Sequence, residues 1–513
     1  MRSLKEKYGI IDIGSNTIRL VIYEKSKSGR IKEIENIKTV ARLRKYLNDQ
    51  EVLNTEGKNI LLKTLLMFQE ITRHHKISEV KCVATATIRQ SINRDELIQL
   101  VAEKTDFTLQ ILSGYDEAFY GFLAVVNSTP IQEGVTIDIG GGSTEVTYFK
   151  NREMIHFHSF PFGALSLKQD FISSNIPTAE EMKRLTQFIQ KQFESLDWLR
   201  EKQVPIIAVG GSARNVVQIH QSLVNYPIIG IHQYEMNFEE INFLKKHLSS
   251  LEFDHILRTE GLSKDRADII LPAIEVFKEL YSIVNAKSFI FSNKGLRDGI
   301  FMEECILNGE KLLPNVLDKS FSDLEKDYEV NIKHVNHIKV LVNQLVEQIN
   351  LYNLNQIKSG DKLDINLAAR VYNIGQYIDE ESSSQHTFYL LSNRTIEGLS
   401  HKDRIKIALI ASYKNKNSFK QYVKPFLEWF TADELKKLRF LGILLKFTNS
   451  LNASKREVVK NIEFKLNDDD LIVQLKCIDD STVEEIESEK QIKQLEKLFN
   501  KSTYIYFKKH KSE

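Results

Sequence analysis

The sequence predicts an α/β protein of several domains, in which two similar halves face each other across a cleft and a helical bundle follows. Strand and helix patterns alternate over roughly the first 305 residues, and a strand–turn–strand segment at 10–24 is repeated at 136–150. After about residue 310 the apolar residues follow helical spacing instead. Because 513 residues exceed what one hydrophobic core supports, we expect separate domains.

The first half, assigned to residues 1–126, starts with a predicted strand pair around a turn. Apolar runs that end at glycine indicate its strands, and helical spacing indicates its helices. In order, the elements are the strands KYGIIDIGS, TIRLVIYEK and VKCVATATI, the amphipathic helix RDELIQLVAEK, the strand FTLQILSG and the helix YDEAFYGFLAVVN.

The second half, assigned to residues 127–306, repeats that beginning. Ile10–Glu24 and Thr136–Lys150 share an apolar residue, Asp-Ile-Gly, a small polar turn and a second strand. The elements are the strands GVTIDIGGGS and TEVTYFKN, the strand–turn–helix VPIIAVGGSARNVVQIHQ, the helix KDRADIILPAIEVFKELYSIVN with an internal proline, the strand AKSFIFSNKG and the helix LRDGIFMEECILNG.

The rest of the chain predicts two further domains. Residues 310–453 show helical spacing in successive segments and are expected to form an all-α bundle. Residues 454–513 predict a small α+β domain. In it, NIEFKLNDDDLIVQLKCID forms a hairpin over an Asp-rich turn, and a helix and the strand TYIYFKK follow.

Composition narrows the class of protein. Hydrophobic residues make up 42% and charged residues 27% of the chain, which is typical of globular proteins. Cys82, Cys305 and Cys477 lie far apart without metal-like spacing, so we expect buried, reduced thiols in a cytoplasmic protein. Neither a signal-peptide layout nor an apolar run of ~18 residues occurs, so no membrane span is expected. A net charge of +1 argues against nucleic-acid binding and requires a local basic patch for any polyanion.

The repeated hairpin carries the predicted chemistry. Asp12 and Asp138 each precede a small-residue turn, 14–17 and 140–144, whose backbone N–H groups can form an anion nest for phosphate. A carboxylate beside phosphate needs a cation between them, so Asp12, Asp138 and Glu145 predict Mg²⁺ or another divalent cation. The alternative, that each turn is a tight hairpin without a ligand, stays open. The GxxxxGK motif of P-loop proteins is absent from the sequence.

Eight motifs in order resemble the exopolyphosphatase/guanosine pentaphosphatase (Ppx/GppA) family, over roughly residues 7–305. The resemblance implies two ribonuclease-H-like domains of the sugar kinase–actin-like superfamily around a phosphate cleft. The chain length and helical C-terminal part are similar to the longer, four-domain members, which suggests a homodimer. The motifs are GIIDIGSNTIRLVIYE, VATATIRQSINRDEL, ILSGYDEAFYGFLAV, IDIGGGSTEV, FPFGALSL, VGGSARNV, DRADIILPA and SNKGLRDGI.

The resemblance implies catalytic roles for two carboxylates. Glu117 stands in the position of the family's catalytic glutamate, which orients and deprotonates the attacking water. Asp116 precedes it where many members have a second glutamate. Glu145 is expected to help hold the metal or the water opposite Glu117. The alternative for Glu117 is a solvated carboxylate at a helix start.

The resemblance also implies donors for the substrate phosphates. Arg89 and Arg266 match arginines that bind the phosphate chain, and guanidinium suits phosphate by forked hydrogen bonding. An ion pair of Arg266 with Asp265 or Asp268 is the alternative. Arg19, Lys294 and Arg297 are weaker candidates of the same kind. The predicted donors of the two turns are Ser15, Asn16, Thr17, Gly140, Gly141, Gly142, Ser143 and Thr144.

Two further segments carry weaker signals. Gly210 and Gly211 lie where kinases of the superfamily close over adenosine, but a structural strand-to-helix turn explains them equally well. The bundle resembles an HD-type phosphohydrolase domain in which Tyr372 and Asn373 replace the metal-binding pair. We therefore expect a metal-free scaffold for dimerisation and for guiding a polyanion, in which the remaining histidines, His334, His337 and His386, are structural.

Taken together, the motifs predict Mg²⁺-dependent hydrolysis of the terminal phosphate of inorganic polyphosphate, with release of orthophosphate. The same residues would serve 5′-phosphohydrolysis of guanosine pentaphosphate, for which no guanine-binding motif is found. Two hypotheses of a different kind stay open: a non-catalytic sensor of polyphosphate or nucleotide, and an enzyme that passes phosphate to ADP.

Overall fold

The computed structural model describes residues 7–25, 31–306, 312–467 and 469–509. The chain divides into two compact units, residues 1–316 and 317–513, and both halves of the predicted cleft belong to the first. The boundaries of the four domains predicted from the sequence stay predictions.

The first sheet of the first unit has five strands in the order β3-β2-β1-β4-β5. Strands β1 to β3 are antiparallel, and β4 and β5 run parallel to β1. The elements are β1 (Lys7–Ile13), β2 (Thr17–Lys25), β3 (Ile31–Val40), α1 (Thr55–His74), β4 (Val80–Ala84), α2 (Ala86–Gln90), α3 (Arg94–Lys104), β5 (Leu109–Ile111) and α4 (Gly114–Val126).

The second sheet has six strands in the order β10-β11-β9-β6-β7-β8. Its core is an apolar cluster that the strands form with α5, α6, α7, α8 and α10. The elements are β6 (Glu133–Ile139), β7 (Thr144–Lys150), β8 (Glu153–Phe160), α5 (Ala164–Phe171), α6 (Ala179–Glu194), β9 (Ile206–Val209), α7 (Gly210–Leu223), β10 (Glu235–Met236), α8 (Phe238–Ser249), α9 (Phe253–Leu257), α10 (Ile270–Val284), β11 (Phe289–Phe291) and α11 (Leu296–Phe301).

The two sheets begin with the same hairpin, as the repeat in the sequence predicts. In β1–β2, Asp12 lies opposite Arg19, and in β6–β7, Asp138 lies opposite Glu145. Both turns close through one backbone hydrogen bond, from Gly14 N at 3.0 Å in the first and from Gly140 N at 2.9 Å in the second. The two hairpins therefore share the same strand register. The residue opposite the aspartate differs, because it is positively charged in the first hairpin and negatively charged in the second.

Helix α4 lies between the two sheets and packs against both. Tyr120 and Leu123 join the apolar cluster of β1, β2 and β4, while Phe122 and Val125 join that of β7 and β9. Helix α11 packs on the first of these clusters through Phe301, whose ring stacks on that of Tyr23 with centroids 3.8 Å apart. The start of α4 is thus fixed relative to both hairpins.

Three predicted elements have different bounds in the structure. The helix predicted over KDRADIILPA begins only at Ile270, after a 3₁₀ turn at Lys264–Arg266. Pro272 consequently lies in its first turn, where its missing N–H removes no helical hydrogen bond. The strand predicted over VKCVATATI ends at Ala84, and α2 follows. Helix α11 ends at Phe301 and continues as one π-helical turn.

The second unit consists of helices followed by a small sheet in the order β12-β13-β14. The predicted hairpin is confirmed as β12–β13, but two helices rather than one precede the final strand. The elements are α12 (Val316–Asp327), α13 (Ile332–Leu351), α14 (Ser359–Arg370), α15 (Ser383–Asn393), α16 (His401–Ala411), α17 (Lys416–Val423), α18 (Ala432–Ser450), β12 (Val459–Leu466), β13 (Asp470–Cys477), α19 (Thr482–Glu489), α20 (Ile492–Phe499) and β14 (Ser502–Lys509).

In the second unit, Tyr372 and Asn373 follow the end of α14, and Asn373 adopts a left-handed conformation with φ of 55°. The ring nitrogens of His334 are hydrogen-bonded to Asn449 and Asn452, at 3.1 and 2.9 Å. The HD-like character of the bundle stays a prediction. All three cysteines of the chain are buried free thiols, as expected. Across the described ranges we find no helix with the length and apolar character of a membrane span.

Candidate active site

A cavity of about 400 Å³ lies in the first unit where the two hairpins meet the starts of α4, α7 and α11. It contains most of the residues that the sequence predicts for the site. The predicted residues in its lining are Asp12, Ser15, Asn16, Thr17, Glu117, Asp138, Gly140, Gly141, Ser143, Glu145 and Arg266. The tertiary structure therefore brings together two hairpins, the start of α4 and the segment before α10, which lie far apart in the chain.

The two hairpin turns approach each other and leave no room for side chains. A Cβ atom added to Gly141 would lie 2.8 Å from Ser15 Cβ, across from the other turn. A Cβ on Gly163, which precedes α5, would lie 2.5 Å from the Gly140 carbonyl oxygen. Close approach of backbone thus requires glycine here, in addition to any contact with phosphate.

The two neighbouring carboxylates at the start of α4 have different environments. Asp116 forms a capping box with Ser113: its Oδ2 accepts from Ser113 N at 2.9 Å, and its N–H donates to Ser113 Oγ at 3.1 Å. Glu117 lines the cavity and accepts a hydrogen bond from Arg89. Burial, followed by the charge of Glu145, raises the pKa of Glu117 well above its ordinary value, against the effect of Arg89. Of the two, only Glu117 is available to the cavity.

Asp138 and Glu145 face each other as a second pair of carboxylates, of which Glu145 is buried and Asp138 is half-buried. Ser159 Oγ donates to Glu145 Oε1 at 2.9 Å. Burial and then the charge of Asp138 raise the pKa of Glu145 to about 7. Burial and then the charge of Asp12 raise the pKa of Asp138 to about 6. The charges of Arg297 and Arg266 oppose this rise for Asp138, and that of Arg89 opposes it for Glu145, but only in part, so a cation would supply further compensation.

The carboxylates of the cavity suit a divalent cation that takes its remaining ligands from the substrate. Asp12 is already paired with Arg297, whose Nη1 lies 2.7 Å from Asp12 Oδ2. Over the described ranges, no three His, Cys, Asp or Glu side chains converge closely enough to hold a metal by themselves. Mg²⁺ commonly takes only one or two carboxylates and completes its shell with water and phosphate oxygens. Asp138 and Glu145 suit that role.

The raised pKa of Glu145 predicts a pH-dependent stability. The folded protein binds this proton more tightly than the unfolded chain, so the stabilisation is complete below pH 4.5 and is lost as the pH rises to about 7. In the absence of divalent cations, Glu145→Gln should therefore raise the free energy of unfolding at pH 8 by on the order of 3 kcal/mol. Urea unfolding in EDTA at pH 8 and pH 5 measures this.

The gain from Glu145→Gln should shrink to less than about 1 kcal/mol at pH 5, where folded Glu145 is protonated. Adding Mg²⁺ at pH 8 should stabilise the native sequence more than the variant, because ligands stabilise the state that binds them. A gain of equal size at both pH values would contradict the assigned environment of Glu145.

Two glycines at the start of α7 make room for charged groups of the site. Gly210 has φ of +88°, and a Cβ added to it would overlap Asp138 Oδ1. A Cβ added to Gly211 would overlap a guanidinium nitrogen of Arg266. Arg266 also donates to Ser212 Oγ at 3.1 Å. Although both glycines line the cavity, contacts within the protein already account for them.

Gly211→Ala should displace the Arg266 guanidinium while leaving the carboxylates in place. We expect the KM for a phosphate-chain substrate to rise by roughly tenfold, which corresponds to about 1.4 kcal/mol of binding, with kcat within a few-fold of normal. Steady-state kinetics test this, and Ser212→Ala, which removes a single bond to Arg266, should raise KM less. A normal KM for Gly211→Ala would argue against substrate binding by Arg266.

Sequence reasoning missed one arginine of a cluster in the cavity. The weaker candidates Arg19 and Arg297 both line it together with Arg214, which was not predicted from the sequence. Burial and then the charges of Arg297 and Arg214 lower the pKa of Arg19 to about 10. The available signal for Arg214 was its place three residues after Gly211, at the start of a helix that faces the cleft.

Three of the predicted site residues, and the weaker candidate Lys294, lie outside the cavity lining. Thr144 is buried, and its hydroxyl donates to the Phe162 carbonyl at 2.8 Å. Arg89 reaches Glu117 and the Leu112 carbonyl instead. Gly142 also lies outside the cavity lining. The roles of all predicted site residues stay predictions.

The carboxylates next to Arg266 bind cations of the first half. Lys38 Nζ lies 3.0 Å from Asp265 Oδ2, and Arg42 Nη1 lies 3.4 Å from Asp268 Oδ2. These ion pairs connect the two halves beside the cavity, and they give Asp265 and Asp268 partners other than Arg266.

Comparison with known proteins agrees with the fold. A Haemophilus influenzae protein named as a candidate exopolyphosphatase is 25% identical over 293 residues, which are 56% of this chain and 88% of that protein. The crystal structure of the Aquifex aeolicus Ppx/GppA family member matches with a TM-score of 0.52 and 25% identity, over 58% of this chain and 97% of the other. A Cytophaga hutchinsonii exopolyphosphatase structure, at 21% identity and a TM-score of 0.53, covers 58% and 97% and supports the fold alone.

Family models match both units of the chain. The model described as the Ppx/GppA phosphatase family matches residues 21–306, which is more than half of the chain. The model described as Ppx/GppA phosphatase, domain III, matches residues 316–494. With the actin-like α/β fold of the structural neighbours, these matches show that the chain belongs to the Ppx/GppA phosphatase family.

Proposed function

We propose that this protein is an exopolyphosphatase, which hydrolyses the terminal phosphate of inorganic polyphosphate with the help of Mg²⁺ and releases orthophosphate. The observation that carries the proposal is the composition of the cavity. It combines two glycine-containing turns, the carboxylates Glu117 and Glu145, and an arginine cluster. Phosphoryl transfer depends mainly on positioning and on charge neutralisation, which such groups supply.

Glu117 would act as the general base. Its raised pKa brings its proton affinity toward that needed at neutral pH. In the proposed step, a water oxygen attacks the terminal phosphorus and Glu117 takes the water proton. The bond from that phosphorus to the bridging oxygen breaks, and the bridging oxygen leaves with its electron pair as the end of the shortened chain.

The other residues would hold the phosphates in line for this attack. Turn N–H groups other than those of Gly14 and Gly140, which close the hairpins, would donate to terminal phosphate oxygens. The guanidinium groups of Arg266, Arg214 and Arg19 would neutralise the remaining chain. A Mg²⁺ ion held by Asp138 and Glu145 would supply charge neutralisation to the phosphate oxygens.

The lining of the cavity favours polyphosphate over guanosine pentaphosphate. Its described residues are charged, small polar, glycine or aliphatic, and no aromatic side chain is among them. Purine recognition commonly uses stacking on an aromatic ring, whereas a phosphate chain needs only donors and positive charge. The sensor alternative is less favourable, because a protein that only binds has no need of a water-activating glutamate.

A substrate panel on the purified protein tests the proposal. Orthophosphate release is measured from long-chain polyphosphate, guanosine pentaphosphate and ATP, each with Mg²⁺ and with EDTA. We expect the highest kcat/KM for polyphosphate, no dependence on ADP, and loss of activity in EDTA. Preference for guanosine pentaphosphate would replace the proposed substrate, and tight polyphosphate binding without release would favour the sensor.

A further inference from the structure

Ser159 on β8 holds one oxygen of Glu145. The two residues lie opposite each other in the β7–β8 pair, and Ser159 Oγ is 2.9 Å from Glu145 Oε1. Glu145 is only 6% exposed, so this hydroxyl replaces a water molecule as a donor to the carboxylate. Together with the hydrogen bond from the Ser143 side chain, this donor restricts rotation of the Glu145 carboxylate.

The same serine contacts the start of helix α4. A Cβ atom added to Gly114 would lie 2.9 Å from Ser159 Cβ and 3.1 Å from Ser159 Oγ. Gly114 is the first residue of α4, three positions before Glu117. Because Gly114 has no side chain, the first turn of α4 approaches Ser159 directly.

Ser159 therefore contacts both Glu145 and the first turn of the helix that carries Glu117. Like charges at Glu117 and Glu145 repel each other when both are ionised, so a free Glu145 would turn away from the cavity. The hydrogen bond from Ser159 holds Glu145, and the contact with Gly114 holds Ser159. Both therefore oppose this rotation of Glu145. The capping box of Ser113 and Asp116 keeps the first turn of α4 rigid in addition.

We propose that Ser159 is a positioning residue for the hydrolytic step: it orients Glu145 and sets its spacing from the start of the helix that carries Glu117. The proposal rests on the proposed function, since it assumes that both carboxylates serve hydrolysis. Replacing Ser159 should lower kcat rather than raise KM, because Ser159 is not in the cavity lining and makes no direct contact with the space for substrate.

Ser159→Ala removes only the hydroxyl oxygen and tests this. We expect kcat for polyphosphate to fall by roughly tenfold or more, as for the loss of a hydrogen bond to a charged group, with KM within twofold. Ser159→Thr keeps the hydroxyl but adds a methyl group beside Gly114, so it should retain more of kcat than Ser159→Ala does. The midpoint of urea unfolding should stay close to that of the native sequence for both variants.

Thr147→Val is the matched control on the neighbouring strand β7. Thr147 Oγ1 lies 2.5 Å from Thr136 Oγ1 across β6–β7, so this change also removes a buried hydroxyl but leaves Glu145 untouched. Its kcat should be unchanged. A normal kcat for Ser159→Ala, a rise in KM alone, or an equal loss in Thr147→Val would each overturn the proposal. A native protein that hydrolyses no member of the panel would instead refute the proposed function.

Discussion

Glu117→Gln is expected to lower kcat for polyphosphate by at least roughly 100-fold, while polyphosphate binding stays within a few-fold. Glutamine keeps the shape of the side chain and can still bond to Arg89, but it cannot take a proton from water. General bases typically contribute roughly 10²- to 10⁴-fold. Single-turnover phosphate release and equilibrium binding of polyphosphate measure the two quantities separately.

Asp116→Asn is the matched control, because it changes the neighbouring carboxylate in the same helical turn. The Asp116 carboxylate is already bonded in the capping box. We therefore expect Asp116→Asn to lower the free energy of unfolding by about 1 kcal/mol and to change kcat little. The native protein should also lose activity as the pH falls through the raised pKa of Glu117, since the base must be ionised. Glu117→Gln with unchanged turnover would exclude the assigned base.

Gly163→Ala is expected to impair both stability and catalysis. Its Cβ would lie 2.5 Å from Gly140 O, 2.6 Å from Gly141 C and 2.7 Å from Gly142 N, and backbone atoms cannot move aside as a flexible side chain can. Overpacking of this kind costs about 1–3 kcal/mol. The turn at 140–142 would shift by several tenths of an ångström, so we also expect at least a roughly tenfold loss of kcat/KM. Urea unfolding and steady-state kinetics measure the two effects.

Gly121→Ala is the control for adding one methyl group near the site. Gly121 is inside α4, and an added Cβ there would meet no atom within 4 Å. Alanine also favours helix over glycine by about 1 kcal/mol, so this variant should be as stable as the native protein or more so. Normal stability and activity of Gly163→Ala would show that the turn does not require its present backbone position.

The strand–turn–strand repeat is predictable from the sequence because it depends on local patterns. An apolar run, an aspartate and a small-residue turn occur close together in the chain, and the register of both hairpins follows from them. The same holds for the hairpin β12–β13. Element ends are less predictable: the pattern places Pro272 inside a helix that in the structure begins at Ile270.

The candidate site is predictable in part for a different reason. Glu117 and Glu145 are identified through ordered motifs, which carry the family's accumulated pattern and need no knowledge of contacts. Arg214 lies in such a motif but escapes prediction, since the motif does not show which way its side chain points. Ser159 escapes it because a single serine on a strand gives no signal.

The sequence by itself thus determined the family, the repeated hairpins and the charged groups available for phosphate chemistry. Only the tertiary structure decided that Glu117 faces the cavity, and that Arg19, Arg214 and Arg297 lie close together in its lining. The physical reason is that these outcomes depend on how α4 packs between the two sheets. That packing joins residues as far apart in the chain as Arg19 and Arg297, and no local propensity encodes it.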